Sequence, residues 1–270
     1  MTGVSRILVF DSGLGGLSVV KALRQIAPQA ALAYAADNAA FPYGDWDEAA
    51  LVTQMEQVLE KLIAKMQPDV VVIACNTAST IGLEALRQRF DVPFVGTVPA
   101  IKPAANLTKS GHISVLATPG TVNREYTRAL IDTYAFHCQV KLHGAENLAE
   151  MAEAKLSGKA VDLDRLRAEV APVFVKDESG RTDVVVLGCT HYPLLLEELH
   201  VVAPWPVTFI DPAPAIARQA LRVLEKHHHH HQHQGGQSDF ANRVLLTGTA
   251  AAGMLSALAD FGFDILAKTP

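Results

Sequence analysis

Two cysteines stand at equivalent places in two similar stretches. Residues 69–77 read DVVVIACNT and residues 183–191 read DVVVLGCTH: each is an apolar run that stops at a thiol, Cys75 or Cys189, and continues into hydrogen-bonding side chains, Asn76 and Thr77 or Thr190 and His191. Such a sulfur can be a nucleophile, a metal ligand or an acid/base. Metal binding fits poorly, because Cys189 and His191 supply only two neighbouring ligands and the chain has no CxxC pair. A Cys-His-Asp hydrolase uses one nucleophile and leaves the second cysteine without a task. The third cysteine, Cys138 in FHCQVKL, reads as packing.

A lone cysteine ending a buried strand is more often packing than chemistry; a second copy at the matching place changes the balance. Two thiols on opposite sides of one ligand suit a nearly symmetric reaction, in which a proton leaves one face of a carbon and another arrives on the opposite face. The α-hydrogen of an amino acid is weakly acidic beside an ionised carboxylate. Its racemisation therefore needs a desolvated thiolate, an opposing thiol, and donors for the developing carbanion. Helix N-termini favour thiolates, and both cysteines are expected to stand at one.

The elements that must position these groups follow from the hydropathy pattern. Short apolar runs alternate with longer segments of helical period, which predicts mainly parallel sheets flanked by helices. Strands are expected at 6–10, 31–35, 69–74, 93–96, 112–117, 138–142, 183–188, 207–210 and 243–247. Leu51, Met55, Val58, Leu62 and Met66 form one stripe of a helix over 47–66, ended by Pro68. Other echoes accompany the cysteine pair: RILVFDSGLGG (6–16) resembles HISVLATPGTV (112–122), and VPFVGTVPAI (92–101) resembles WPVTFIDPAPAI (205–216). They predict two pseudo-symmetric α/β domains, a discontinuous first one (1–97 plus 209–270, with the RVLLTG strand and a final helix) and a second one (98–208). In open α/β sheets ligands sit off the carboxyl ends of strands. Four such ends carry polar or reactive groups: Asp11-Ser12, Cys75-Asn76-Thr77, Thr118 through Thr121, and Cys189-Thr190-His191. They are expected to converge on a cleft between the domains. The turn DSGLGG (11–16) lacks the P-loop Lys-Ser/Thr and does not fit GxGxxG, so nucleotide binding is not indicated. A tight turn that lets an anion approach helix amides explains its glycines, and Asp11 marks it as more than a turn.

The 270 residues, 49% hydrophobic, are enough for full cores, and a net charge of −5 gives no basic field for nucleic acid. No apolar run is long enough to span a membrane, MTGVSRILVF is not an export signal, and a cytoplasmic protein with reduced thiols and a small-molecule partner is expected. Residues 227–236, HHHHHQHQGG, could in principle hold a transition metal. A loop lengthened by codon repeats is the simpler reading, and neither metal nor cofactor is expected.

The motifs VFDSGLGG (9–16), FPYGD (41–45), VIACNTAST (72–80), VGTVPAIKPA (95–104), LATPGTVNREY (116–126) and VLGCTHYPLL (186–195) together resemble those of the aspartate/glutamate racemase family, glutamate type, over nearly the whole chain. The resemblance implies two α/β domains with substrate between them, cofactor-independent production of D-glutamate for peptidoglycan, and monomers or dimers, so that a homodimer is possible. It also implies that Cys75 and Cys189 are the catalytic acid/bases. Asp11, Ser12, Tyr43, Gly44, Asn76, Thr77, Thr190 and His191 match substrate-holding positions, Thr118 and Thr121 line the cleft, and Asp11 and His191 also tune the thiols. Glu153 in LAEMAEAKL aligns with a family glutamate near the second cysteine, although this segment departs from the family in lacking its Cys-Pro start. Cys189-Thr190-His191 matches the glutamate type, whereas aspartate racemases tend to carry Cys-Thr-Glu. An aspartate racemase or a non-catalytic ligand-binding relative is the alternative.

Overall fold

The computed structural model describes residues 4–227, 240–250, 252–263 and 265–268. The chain divides into two compact units, Met1–Thr97 with Ala213–Pro270, and Val98–Pro212. In the first unit, β1 (Arg6–Asp11), α1 (Leu17–Ile26), β2 (Ala31–Ala36), α2 (Glu48–Met66), β3 (Val70–Ile73), α3 (Asn76–Arg89) and β4 (Phe94–Val95) succeed one another in order. The second contains α4 (Ile101–Leu107), β5 (His112–Ala117), α5 (Pro119–Val122), α6 (Glu125–Tyr134), β6 (Gln139–Gly144), α7 (Leu148–Leu156), α8 (Leu163–Val170), β7 (Val184–Gly188), α9 (Leu196–Val202) and β8 (Thr208–Ile210). The chain then returns to the first unit with α10 (Ala213–His227), β9 (Arg243–Leu246), α11 (Ala252–Asp260) and β10 (Ile265–Lys268).

The sheets run β10-β9-β2-β1-β3-β4 and β6-β5-β7-β8. Every pairing in both is parallel. The order β2-β1-β3-β4 in one unit matches β6-β5-β7-β8 in the other, strand for strand, which is the architecture expected of the sequence echoes. Parallel strands covered on both faces need continuous apolar runs, and all residues of β1, β2, β3 and β7 are buried. The helix after each fourth strand belongs to the other unit. α4 packs with α6, β5 and β7, while α10 packs with α1, β3 and β4.

Helix α2 shows how local chemistry sets the boundaries. Its N-cap Asp47 accepts from the amides of Ala49 and Ala50 (3.0 and 3.1 Å), satisfying two donors of the first turn. Leu51, Met55, Val58, Leu59, Leu62 and Met66 are buried against the sheet, at about 2 kcal/mol gross for each side chain removed from water. The helix ends at Gln67, in the left-handed region with φ 48°, before Pro68 can break it. β3 is one residue shorter at each end than the 69–74 expected; at its start the side chain of Asp69 accepts from the Arg6 amide (2.7 Å). The C-terminal strand β10, beside β9, is not expected from the sequence pattern. No helix among the described residues is long and apolar enough to cross a membrane.

Candidate active site

In the first unit the register Phe10↔Ile73 between neighbouring β1 and β3 sets Asp11 and the Ala74-Cys75 peptide side by side at the carboxyl edge. Gly16 makes this closeness possible: a Cβ there would lie 2.9 Å from Ala74 Cβ, 3.0 Å from Asp11 Oδ2 and 3.1 Å from the Tyr34 ring. Asp11 is fully buried, and its Oδ1 accepts from the Gly13 amide (3.2 Å) and the Ser12 hydroxyl (3.3 Å). The Ser12 oxygen is 4.0 Å from Cys75 Sγ. Tyr34, on β2, donates to the Gly13 carbonyl (2.7 Å) and so pins the turn from beneath.

Cys75 is the N-cap of α3. Its extended backbone lets Sγ accept from the Ala78 amide (3.5 Å), so the sulfur takes the place an Asp or Ser oxygen usually holds and faces the positive end of the helix. Next to it Asn76 is 2% exposed, and both polar atoms of its amide are buried with no hydrogen-bond partner among the described residues. A buried polar group left unsatisfied costs about 1–3 kcal/mol. Asn76 therefore carries a stored cost that a ligand with donors and acceptors would relieve. Thr77 is also buried here.

The FPYGD segment forms a 3-10 turn, Tyr43–Asp45, ahead of α2. The Tyr43 phenol points inward and donates to Asp37 Oδ2 (2.7 Å). Burial first, then the Asp37 charge and hydrogen bond, push its pKa far above that of an ordinary tyrosine. What this turn can offer a ligand is its backbone, and Gly44 is exposed, with nothing among the described residues within 4 Å of the place a Cβ would take.

In the second unit β5 and β7 are neighbours in register Ala117↔Gly188, and a Cβ on Gly188 would lie 2.8 Å from that of Ala117. Thr118 caps α5: its hydroxyl accepts from the Thr121 amide (3.3 Å) and lies 2.9 Å from the Thr121 hydroxyl. After β7, Cys189 (7% exposed) lies 3.8 Å by its Sγ from His191 Nδ1. His191 Nε2 is 3.0 Å from Glu153 Oε1, so a carboxylate, an imidazole and a sulfur stand in line. Helix α7 carries Glu153 and is held in place by Lys155 Nζ, which donates to Glu198 (2.8 Å) and to the Leu194 carbonyl (2.9 Å). Thr190, between Cys189 and His191 in sequence, is buried.

The expectation that both cysteines stand at α-helix N-termini holds for Cys75 alone. Beyond Cys189 the chain enters a 3-10 turn, Tyr192–Leu195, with the proline Pro193 in its first residues, and α9 begins only at Leu196. The surroundings of the two cysteines thus differ: a helix end lies at one sulfur, and a histidine-glutamate pair lies beside the other. Tyr192 is fully buried beside Cys189, and burial followed by the charges of Cys189 and Glu169 raises its pKa well above the ordinary tyrosine value. Sequence reasoning missed Asp37, Tyr34 and Tyr192, which hold the loops in place. For Asp37 a signal existed, an acid at the carboxyl end of a buried apolar run, as at Asp11. Cys138 is half-buried against the α4–α6 side of the second core, and its thiol pKa is raised by burial and then by Asp183. No group of three His, Cys, Asp or Glu side chains among the described residues is placed to hold a metal. Most of the histidine-rich tract lies outside the described residues.

A family model described as Asp/Glu/Hydantoin racemase matches residues 16–220. The chain is 54% identical over 219 residues to a glutamate racemase of Mesorhizobium japonicum, covering 81% of this chain and 84% of that one. It is 53% identical over 220 residues to one of Brucella anthropi, covering 81% and 79%. Among solved structures it is similar to Escherichia coli glutamate racemase in complex with L-glutamate and the activator UDP-MurNAc-Ala, with TM-score 0.90, 42% identity, and 99% and 98% of the two chains covered. It is also similar to glutamate racemase isoform RacE1 of Bacillus anthracis, with TM-score 0.78, 26% identity, and 98% and 97% covered.

Proposed function

The chain belongs to the Asp/Glu/hydantoin racemase family, and on that premise we propose that it interconverts L- and D-glutamate without a cofactor, in the cytoplasm, supplying D-glutamate for peptidoglycan. The observation that carries this reading is the buried Asn76 amide, without a hydrogen-bond partner among the described residues, directly beside a cysteine that caps a helix N-terminus. The names of relatives at 53–54% identity, and the L-glutamate held by the Escherichia coli structure, support glutamate as the substrate.

The chemistry needs one sulfur on each face of the α-carbon. One, as thiolate, takes the α-proton while the other, as thiol, delivers its own to the opposite face; the sulfurs exchange roles in the reverse direction. Asp11 accepts from the substrate ammonium. Ser12, the Asn76 amide, Thr77, Thr190 and the backbone of Tyr43-Gly44 hold the carboxylates, which disperses charge as the carbanion forms. His191, oriented by Glu153, serves Cys189 by exchanging a proton with it. Thr118 and Thr121 shape the wall on the Cys189 side.

The test is incubation of the purified chain with L-glutamate in D₂O, without pyridoxal phosphate or added metal, with L-aspartate in parallel. Loss of circular dichroism together with deuterium at Cα on glutamate is expected. Exchange on aspartate alone would move the substrate, and no exchange on either would overturn the reading.

A further inference from the structure

We infer that Thr247 is a positioning residue for the Tyr43-Gly44 turn, acting through the buried carboxylate of Asp37. The inference rests on the reading of that turn as part of the substrate site. Thr247 lies beyond residues 16–220, the stretch the family model matches.

Asp37 is fully buried at the end of β2. A carboxylate out of water must have its lone pairs met by donors. Oδ2 accepts from the Tyr43 hydroxyl (2.7 Å) and Gln54 Nε2 (2.9 Å), and Oδ1 accepts from the Thr247 hydroxyl (2.6 Å). These three donors are neutral, so the anion depends on hydrogen bonds to charge, which are about twice as strong as neutral ones. The donor role of Thr247 is fixed by its surroundings. Its oxygen already accepts from the Ala39 amide (3.1 Å), which leaves its hydrogen for Asp37.

Thr247 is in place because β9 pairs with β2 in register Ala36↔Leu246, after which the Thr247 amide donates to the Ala36 carbonyl (3.2 Å). The Asp37 amide in turn donates to the Asp11 carbonyl (2.8 Å). One carboxylate therefore ties the Asp11 strand end, the Tyr43 turn and a strand that arrives 210 residues later in the chain. Without the Thr247 hydroxyl, Oδ1 loses its donor, the carboxylate rotates toward whatever replaces it, and Tyr43 moves with it. A shift of the turn alters where the Tyr43-Gly44 backbone meets the ligand while leaving both sulfurs in place.

The experiment compares Thr247→Val, which keeps the shape and removes the hydroxyl, Thr247→Ser, which keeps the hydroxyl, and Tyr43→Phe, all in the full chain. KM and kcat for L-glutamate are read alongside melting curves. Thr247→Val is expected to raise KM about five- to tenfold with kcat within about twofold, and Thr247→Ser to restore KM to within about twofold. A merely structural role would lower the melting temperature without this split. If Val does not fold, Thr247→Ala is measured against Thr247→Ser in the same way. Tyr43→Phe raising KM while Thr247→Val leaves it unchanged would overturn this inference alone. Both leaving KM unchanged, in a chain that racemises glutamate, would overturn the reading of the turn as well.

Discussion

Replacing Glu153 by Gln tests whether the line of groups beside Cys189 acts on it. The amide keeps the length and shape of the side chain and can still bond to the imidazole, so what is lost is charge across the 3.0 Å contact between Glu153 Oε1 and His191 Nε2. Two unit charges about 4 Å apart near a protein surface interact by ~4 kcal/mol, which sets a ceiling. The Glu153 side chain is 23% exposed and that of His191 only 4%, so solvent screens one end of the pair and the true loss lies well below the ceiling. Exchanging a charge-assisted bond for a neutral one removes about 1–1.5 kcal/mol. At ~1.4 kcal/mol per decade this lowers kcat/KM about five- to twelvefold. The assay measures the decay of circular dichroism from L-glutamate and, separately, from D-glutamate. The enantiomers have equal free energy, so kcat/KM must fall by the same factor from both sides. A variant with kcat/KM within about twofold of the parent and an unchanged near-ultraviolet spectrum would refute the role of Glu153 through His191.

Cys75→Ala and Cys189→Ala should each abolish racemisation in both directions, and near-normal turnover by either would sink the two-base mechanism. Asn76→Leu should raise the stability of the ligand-free protein by about 1–2 kcal/mol, because it removes two unsatisfied buried atoms, while weakening glutamate binding; a fall in both melting temperature and KM would contradict this. Tyr43 and Tyr192 should remain protonated in a native spectrophotometric titration. Their folded pKa values exceed the unfolded value of about 10, so the stability they contribute is whole below pH 10 and is lost as pH rises above it. Tyr43→Phe should flatten that alkaline loss, as chemical denaturation at a series of pH values would show.

The candidate site residues were legible because they sit where short-range rules apply. A buried strand announces itself by an unbroken apolar run, and the residues just past its end lie at the sheet's carboxyl edge, as Asp11, Cys75, Thr118 and Cys189 do. The echo of DVVVIACNT in DVVVLGCTH foreshadowed two sheets of matching strand order, β2-β1-β3-β4 and β6-β5-β7-β8. The residues that hold the site were not legible, since their partners are distant in sequence: Asp37 finds Thr247, and Tyr34 finds Gly13. Local reasoning also gave Cys189 the same helix as Cys75. Pro193, early in the turn beyond it, marks where the chain departs from that pattern, and the 3-10 geometry there brings His191 to the sulfur. β10 went unread because a four-residue strand, ILAK, after a helix carries little periodicity of its own.

The pairing of β2 with β9 also sets a timetable for biosynthesis. β2 leaves the ribosome early, flanked on one side by β1, while its other edge must wait for residues near Arg243. At roughly 5–20 residues per second, the 210 residues from Asp37 to Thr247 take about 10–40 s to translate. Throughout that interval a parallel edge strand is available to other nascent chains, and for most of it α10 (Ala213–His227), which covers α1, β3 and β4, has not yet been made. Contacts this remote in sequence make slow folders, so yield during overexpression should depend on chaperones and on growth temperature more than the stability of the finished enzyme would suggest.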